Sequence, residues 1–183
     1  MIFEATPLAG LVLITPEPVR DERGEFGRLY CADTFTAQGL DPHLDQISYS
    51  FNRLKGTLRG LHLQRPPHGE VKLVRVTAGA ILDVAVDLRA GSPTFGQWFG
   101  AELNAAERRM LYIPVGFAHG FQTLTDAAEI TYHISTRYVP GSQDGVRWDD
   151  PAIGVAWPDP VAAILNERDQ GLPMLADFEP IAC

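Results

Sequence analysis

The sequence predicts an all-β sandwich or barrel. Its 17 glycines and 14 prolines are spread in short clusters that divide the chain into short extended segments, a spacing typical of sandwiches and barrels. Apolar and polar residues alternate within these segments, most clearly in residues 72–76 and 83–87. Such alternation is expected of a strand with one solvent-facing side. Helical periodicity is weak by comparison.

The segments between the glycine and proline clusters predict ten strands and two helices. The predicted strands are residues 11–14, 27–30, 43–51, 58–64, 71–77, 81–88, 97–103, 109–113, 119–124 and 129–135. Ala78-Gly79 predicts a tight turn, and residues 33–38 predict one or two helical turns. A second helix is expected from Asp159 to Leu165, because Asp159 can cap it and Pro160 suits its first turn.

Length and composition indicate one soluble domain, residues 1–183. The mass is 20.1 kDa, and 45% of the residues are hydrophobic, yet no apolar run approaches the ~20 residues that span a bilayer. A net charge of -8 excludes a basic surface for nucleic acid. The first residues lack a secretory leader, so we expect a cytoplasmic protein that binds neither membrane nor nucleic acid.

Two end segments and two cysteines complete this outline. Residues 140–183 predict a tail of loop and one helix that packs back on the β domain, because they contain two tryptophans and few strand signals. The last six residues, 178–183, carry no such signal and are expected to fray. Cys31 and Cys183 are expected to remain reduced, as in most intracellular proteins.

Two glycine-flanked histidines are the most informative positions. Within residues 56–64, period 2 places Gly60, His62 and Gln64 on one face of a strand, and Arg59 on the other unless a bulge near Gly60 turns it. His119 lies in a second segment with the same glycine flanks. Glycine weakens a strand unless something approaches its backbone closely, so the two segments predict a small-molecule pocket.

A metal centre is the first kind of site to consider, because histidine-rich β-barrels often hold a metal ion. Its ligands on one strand are expected as His-x-His with a carboxylate further on. Here the second position of the pair is Gln64, a poor ligand, and only Glu70 and His119 remain to join His62. We therefore expect neither a metal nor another cofactor, and keep a metal-dependent isomerase or dioxygenase as an alternative.

Proton transfer without a metal fits the remaining residues. His62 can act as a base near neutral pH, and Tyr132 is a weak acid. Lys72, one of only two lysines in the chain, can stabilise a developing oxyanion. Abstraction of a proton beside a carbonyl needs these three parts, with the acid on the opposite face for inversion.

Further blocks follow in a fixed order between residues 7 and 175. They are Asp21-Glu22-Arg23-Gly24 with Phe26, residues 56–64, 72–76, 79, 83–89, 92–96 and 113–121, Tyr132, residues 148–151, Trp157-Pro158 and Asp169. In this order the blocks resemble the dTDP-4-dehydrorhamnose 3,5-epimerases. The resemblance implies a jelly-roll (cupin-like) fold and a metal-independent reaction.

The resemblance also implies a role for each residue of the proton-transfer set. His62 is the base that removes the proton beside the 4-keto group, and Asp169 orients its imidazole from behind. Lys72 stabilises the enolate oxygen, and Tyr132 returns a proton from the opposite face. His119 is expected beside them.

The resemblance also implies a set of substrate contacts, and several positions in or beside them depart from the family's usual residues. The contacts are Arg23, Phe26, Arg28, Gln46, Ser48, Arg59, Tyr138 and Arg168. Arg28 stands where the family usually has an acidic residue, and Ile47-Ser48 stands where it usually reads Asp-Asn. The tail loop has Asn166 and Arg168 in place of serine and lysine. The nucleotide base is therefore left open.

The predicted function is epimerisation of a nucleotide-linked 4-keto-6-deoxy sugar, from dTDP-4-dehydro-6-deoxy-D-glucose to dTDP-4-dehydro-L-rhamnose. Inversion at carbon 3 or carbon 5 alone, or a GDP- or CDP-linked substrate, remains an alternative within the same class. A non-catalytic sugar-binding cupin is the alternative from another class. The resemblance further implies a homodimer in which an arm of residues 1–14 pairs with the partner's sheet.

Overall fold

The computed structural model describes residues 1–182 and is built mainly from short strands. In chain order these are β1 (Ile2–Ala5), β2 (Val12–Thr15), β3 (Val19–Asp21), β4 (Gly24–Phe26), β5 (Gln46–Asn52), β6 (Leu58–Gln64), β7 (Lys72–Ala78), β8 (Ala80–Asp87), β9 (Trp98–Asn104), β10 (Met110–Ile113), β11 (Phe117–Thr123), β12 (Ala128–Ile134) and β13 (Gln143–Gly145). The helical elements are α1 (Ala32–Ala37), α2 (Glu167–Gln170) and a 3₁₀ turn (Leu175–Asp177). None of the helices found within residues 1–182 is long and apolar enough to cross a membrane.

Two antiparallel sheets face each other, which confirms the predicted sandwich. One has six strands in the order β1-β2-β10-β7-β12-β5, and the other has five in the order β13-β6-β11-β8-β9. Val74 and Ile130 of the first sheet pack against Ile81 and Phe121 of the second in the main core. The hairpin β3–β4 stands apart as a third, two-stranded unit.

Both faces of β8 are covered, whereas the alternation of residues 83–87 predicted one wet face. Val84 and Val86 pack outward against Trp157 of the tail. Asp83 and Asp87 are completely buried. The prediction was wrong because alternation separates two environments without showing that the polar one is solvent. Here the polar side faces the interior, where the acids have side-chain partners.

The end of the tail is packed, so the expected fraying was wrong for residues 178–182. Phe178 and Ile181 are buried in the cluster on the outer face of the five-stranded sheet. The Ile181 N–H donates to the carbonyl of Leu88 at 2.8 Å. Main-chain pairing and apolar burial together hold this end against the sheet. Cys183, and with it the expectation about its pairing with Cys31, lies outside the described residues.

The helix expected from Asp159 to Leu165 was wrong, although its cap forms. Asp159 Oδ1 accepts the N–H of Ala162 at 3.1 Å. Two residues later the backbone of Ile164 pairs with the start of β6, donating to the Gly56 carbonyl and accepting from Leu58 N–H, both at 3.0 Å. This tertiary pairing takes the backbone groups that a helix needs, and the tail helix begins later, at α2.

Near the N-terminus the strand expected at residues 27–30 was also wrong. Leu29 and Tyr30 instead use their side chains to pack on the cluster around Phe35 of α1, on the outside of the six-stranded sheet. The one or two helical turns predicted at residues 33–38 agree with α1. The turn at Gly79 between β7 and β8 is confirmed, with φ of +71°.

The first two strands pair with each other and join the six-stranded sheet of their own chain. β1 pairs with β2, and β2 pairs with β10, both antiparallel. β1 is therefore the outermost strand, with one side available to another chain.

Candidate active site

A cavity of about 410 Å³ opens between the two sheets. Residues of β5, β7 and β12 line it from one side, residues of β6 and β11 from the other, and α2 closes one end. Ten of the thirteen predicted site residues lie here: Gln46, Ser48, Arg59, His62, Lys72, His119, Tyr132, Tyr138, Arg168 and Asp169.

His62 and Asp169 form a hydrogen-bonded couple in the wall of this cavity. His62 Nε2 lies 2.8 Å from Asp169 Oδ1. Gly60 N–H donates to Asp169 Oδ2 at 3.1 Å, and Asn166 caps α2 by accepting the Asp169 N–H at 2.8 Å. Burial by itself raises the pKa of Asp169, but bonds from His62 and Gly60 outweigh it and hold the pKa below its ordinary value. The charged carboxylate thus holds the ring through Nε2, and this bond does not engage Nδ1.

A bulge in β6 brings Arg59 and His62 to the same cavity, which is the exception to period 2 that a glycine at position 60 permits. Opposite β11, His62 pairs with His119 but Arg59 pairs with Phe121, so β6 has one extra residue between the two pairs. Gly60 has φ of +139°, and a Cβ there would lie 2.5 Å from the Gly120 Cα. The glycine is needed because the neighbouring strand approaches its backbone, not because a ligand does.

His119 belongs to a second histidine–aspartate couple. Its Nε2 lies 2.7 Å from Oδ1 of Asp83, which is completely buried. Within the described residues, Asp83 Oδ2 has no hydrogen-bond partner. The His119 ring meets the Tyr132 ring edge to face, with centroids 6.1 Å apart. This couple thus forms a buried wall behind the tyrosine.

Tyr132 lines the cavity from the sheet opposite His62. It projects from β12, on the sheet opposite the one that contains His62, and its hydroxyl lies 2.8 Å from Ser50 Oγ. Burial raises the pKa of Tyr132 well above its ordinary value, although the Ser50 hydrogen bond and the Arg59 charge act against this. The phenol is therefore protonated at neutral pH, and Ser50 and Arg59 are the groups that favour its anion.

Lys72 contributes a largely buried positive charge to the cavity. Its Nζ lies 2.9 Å from Glu70 Oε1 and donates to the His62 carbonyl at 3.4 Å. Both side chains of the ion pair are about nine-tenths buried. A desolvated ammonium interacts strongly with a neighbouring oxyanion.

The remaining cations favour a phosphorylated ligand. Arg59 and Arg168 line the cavity together with Lys72. Arg59 Nε is held by Asn52 Oδ1 at 2.8 Å, which leaves its terminal nitrogens for other acceptors. Tyr138 lies at the rim, with about half of its surface exposed.

Three predicted contacts lie outside this cavity. Arg23, Phe26 and Arg28 belong to, or directly follow, the exposed hairpin β3–β4, and Phe26 is 82% exposed. Phe26 lines a separate cleft of about 770 Å³, together with Arg75 and Arg108. His62, Lys72, Tyr132 and Asp169 do not line that cleft.

Sequence reasoning missed three partners of the site. Ser50 shares the period-2 face of Gln46 and Ser48, so alternation along β5 could have identified it. Asp83 was assigned to a wet face, and Glu70 was weighed only as a metal ligand. The structure pairs Glu70 with Lys72 instead, and among residues 1–182 no three His, Cys, Asp or Glu side chains are grouped to hold a metal ion.

Comparison with known proteins identifies relatives that match nearly the whole chain. The chain matches the sequence model of the family described as dTDP-4-dehydrorhamnose 3,5-epimerase over residues 5–177. A relative of that name from Sinorhizobium fredii is 41% identical over 178 residues, which cover 97% of this chain and 91% of the relative.

Solved structures of similar proteins bind dTDP-sugars. An epimerase of Legionella pneumophila in complex with dTDP-4-keto-L-rhamnose superposes with a TM-score of 0.91 and 36% identity, covering 97% of this chain and 94% of that one. A 3′-monoepimerase of Streptomyces bikiniensis in complex with dTDP-quinovose gives a TM-score of 0.87 and 34% identity, covering 94% and 87%. With a jelly-roll fold and this match over nearly its whole length, the chain belongs to the dTDP-4-dehydrorhamnose 3,5-epimerase family of isomerases.

Proposed function

We propose that the protein converts dTDP-4-dehydro-6-deoxy-D-glucose to dTDP-4-dehydro-L-rhamnose by inverting carbons 3 and 5. The observation that carries the proposal is the placement of base and acid on opposite sheets of one cavity. His62, oriented by Asp169, projects from β6, and Tyr132 projects from β12. Inversion requires a proton to leave one face of a carbon and another to arrive on the opposite face.

The proton transfers balance without a cofactor. His62 Nδ1 takes the proton from the carbon beside the ketone, and the electrons of the broken C–H bond form an enolate on the 4-keto oxygen. Tyr132 then gives its hydroxyl proton to the other face of that carbon, and the ketone reforms. The resulting imidazolium and phenolate return to their starting states by exchange with water. No group is oxidised or reduced in these steps.

Lys72 stabilises the enolate and thereby lowers the barrier to proton removal. Its charge is present before the reaction, so it does not have to reorganise as the negative charge develops. Arg59 and Arg168 provide two further cations for the two charges of a nucleotide diphosphate. The sugar then occupies the deeper end, near His62 and Tyr132.

We further propose that the active unit is a homodimer. Ile47, Tyr49 and Phe51 form an exposed apolar stripe on the outer face of β5, between 51% and 73% exposed. A stripe of this kind is typical of an interface. Arg23 and Phe26 lie outside the cavity of their own chain, so their proposed contacts with the nucleotide are made in the cavity of the partner.

Mixed dimers test this arrangement. Arg23→Ala and His62→Ala are each expected to impair the homodimer. When the two chains are co-expressed, one of the two sites in a mixed dimer contains both native residues, so activity should return. Absence of any recovery in a verified mixed dimer would show that Arg23 serves its own chain or none.

The cytoplasm is the proposed location. The chain has only two cysteines, so at most one disulfide can form within it, and a fold that does not depend on disulfides suits a reducing compartment. Fractionation of cells that express the protein checks this directly.

Inversion at carbon 3 alone is a second candidate. The similarity to the 3′-monoepimerase of Streptomyces bikiniensis, over 94% of this chain, favours keeping it. Both reactions need the same base and oxyanion donor, so the difference lies in how the sugar ring presents its carbons.

Proton NMR in deuterated water tests the proposal and separates the candidates. With dTDP-4-dehydro-6-deoxy-D-glucose, the wild type should introduce deuterium at both carbons, and His62→Ala should slow this by about 10³-fold. The exposed His43 provides the matched control, and His43→Ala should behave as wild type. Label at carbon 3 alone selects the monoepimerase, and label at neither carbon contradicts both candidates.

A further inference from the structure

Glu70 is a largely buried carboxylate in the cavity to which the proposed reaction assigns no step. Only about one tenth of its side chain is exposed. One oxygen, Oε1, lies 2.9 Å from Lys72 Nζ, and the other, Oε2, accepts from Gln64 Nε2 at 2.8 Å. Glu70 thus joins the ammonium group to a second buried side chain.

Gln64 extends this link to the rim of the cavity. Its amide oxygen accepts the Val139 N–H at 2.8 Å, and its amide nitrogen donates to the Arg137 carbonyl at 3.2 Å. The amide therefore holds the backbone on both sides of Tyr138. Gln64 is 2% exposed, so water cannot readily replace these bonds.

We propose that Glu70 and Gln64 are positioning residues for the epimerase reaction, Glu70 for the Lys72 ammonium and Gln64 for the Tyr138 segment. The hydrogen bond between them connects the sugar end of the cavity to its rim. The inference rests on the proposed function. A lysine ammonium on a flexible four-carbon stem needs such a partner to meet a developing oxyanion at a fixed place.

The two residues should affect different kinetic constants. Glu70→Gln keeps the shape but removes the charge that fixes Lys72, so kcat should fall about tenfold with KM changed by less than about twofold. Glu70→Ala should lower kcat further. Gln64→Ala releases the Tyr138 segment, so KM should rise about fivefold with a smaller effect on kcat.

A double-mutant cycle shows whether Glu70 acts through Lys72. In a Lys72→Met background, Glu70→Gln should change the residual exchange rate by less than about twofold, because the group that it positions is gone. Independent, multiplying effects would contradict the proposal. Asp149→Asn is the matched control, since Asp149 pairs with Arg147 outside the cavity, and its kcat should equal that of the wild type.

Lysine acylation gives a readout that needs no substrate. The chain has only Lys55 and Lys72, and the exposed Lys55 serves as an internal reference in each sample. With an acetylating reagent and mass spectrometry, Lys72 should react about fivefold faster relative to Lys55 in Glu70→Gln, because its Nζ is no longer held against a carboxylate. Asp149→Asn should leave the ratio unchanged.

The combined outcomes separate the two proposals. A wild type that does not exchange any tested sugar nucleotide overturns the proposed function, while the labelling ratio still reports on the link. An unchanged labelling ratio in Glu70→Gln, or a changed ratio with an unchanged kcat, overturns the positioning role. Circular dichroism of each variant confirms that the fold is retained.

Discussion

The cavity contains two histidine–aspartate couples on neighbouring strands, and they differ in what surrounds them. His62–Asp169 and His119–Asp83 have nearly equal hydrogen bonds, 2.8 and 2.7 Å. The His62 side chain is 26% exposed, whereas that of His119 is 5% exposed. Both aspartates are buried, so the difference lies at the histidine end.

This difference teaches that the same pair of residues can serve chemistry or architecture. In the first couple both carboxylate oxygens of Asp169 have hydrogen-bond partners, and His62 lines the cavity with a partly exposed side chain. In the second, the His119 ring packs against Tyr132, the proposed acid. We infer that His62–Asp169 removes the proton and that His119–Asp83 holds the acid in place.

Asp169→Asn should give the largest loss. The amide cannot stabilise the imidazolium and can turn the ring to the wrong tautomer, so kcat should fall about 10³-fold. Steady-state assays with dTDP-4-dehydro-6-deoxy-D-glucose measure this. If Asp169→Asn and Asp83→Asn reduced kcat equally, the two couples would not differ in function.

Tyr132→Phe should separate the two proton transfers. Removal of the hydroxyl leaves His62 and Lys72 in place, so deuterium exchange should continue while net inversion falls about 10²-fold. NMR that follows exchange and product in one sample checks this. Equal loss of exchange and inversion would indicate that Tyr132 also takes part in proton removal.

Asp83→Asn should mainly lower the stability of the protein, because the His119–Asp83 couple has a structural role. The substitution breaks a buried pair with His119, so the free energy of unfolding should fall by about 3 kcal/mol. Urea denaturation measures this, and kcat should fall far less than in Asp169→Asn. A variant as stable as the wild type would contradict the structural role.

A fall in pH should have the smallest of these effects, a modest decrease in the free energy of unfolding. Burial favours a high pKa for Asp87, yet bonds from Arg89, Ser92 and Thr94 lower it from 3.8 to about 2. The ionised Asp87 carboxylate therefore stabilises the folded state by about 2 kcal/mol above pH 3.8, and this contribution is lost as the pH falls through 2. The pKa of Asp169 is also lowered, so Asp169 likewise stabilises the folded state less as the pH falls. Urea denaturation at several pH values checks this, and Asp87→Asn should flatten the dependence.

Much of the fold and site could be predicted, because both depend on local rules. Alternation and glycine spacing identified most strands of the two sheets but missed β1 and β13, the latter in a tail predicted as loop and one helix. A bulge near Gly60 was named as the condition for Arg59 to share a face with His62, and the structure meets it. The failures were at places where distant segments meet. The tail pairs with β6 through Ile164 and so has no helix there, and the tail also covers β8, whose acids are therefore not in water.

The sequence by itself determined the class of fold and the family, because alternation follows from backbone geometry and the ordered blocks occur along the chain. It also predicted the residues proposed to transfer protons. The pairing of His62 with Asp169 was expected from the resemblance, whereas only the tertiary structure decided the partners of Asp83 and Glu70. Asp169 reaches His62 across 107 positions, and Asp83 and Glu70 acquire His119 and Lys72 as partners through sheet packing. These pairings depend on long-range burial, which removes water and leaves each charged group to its nearest neighbour.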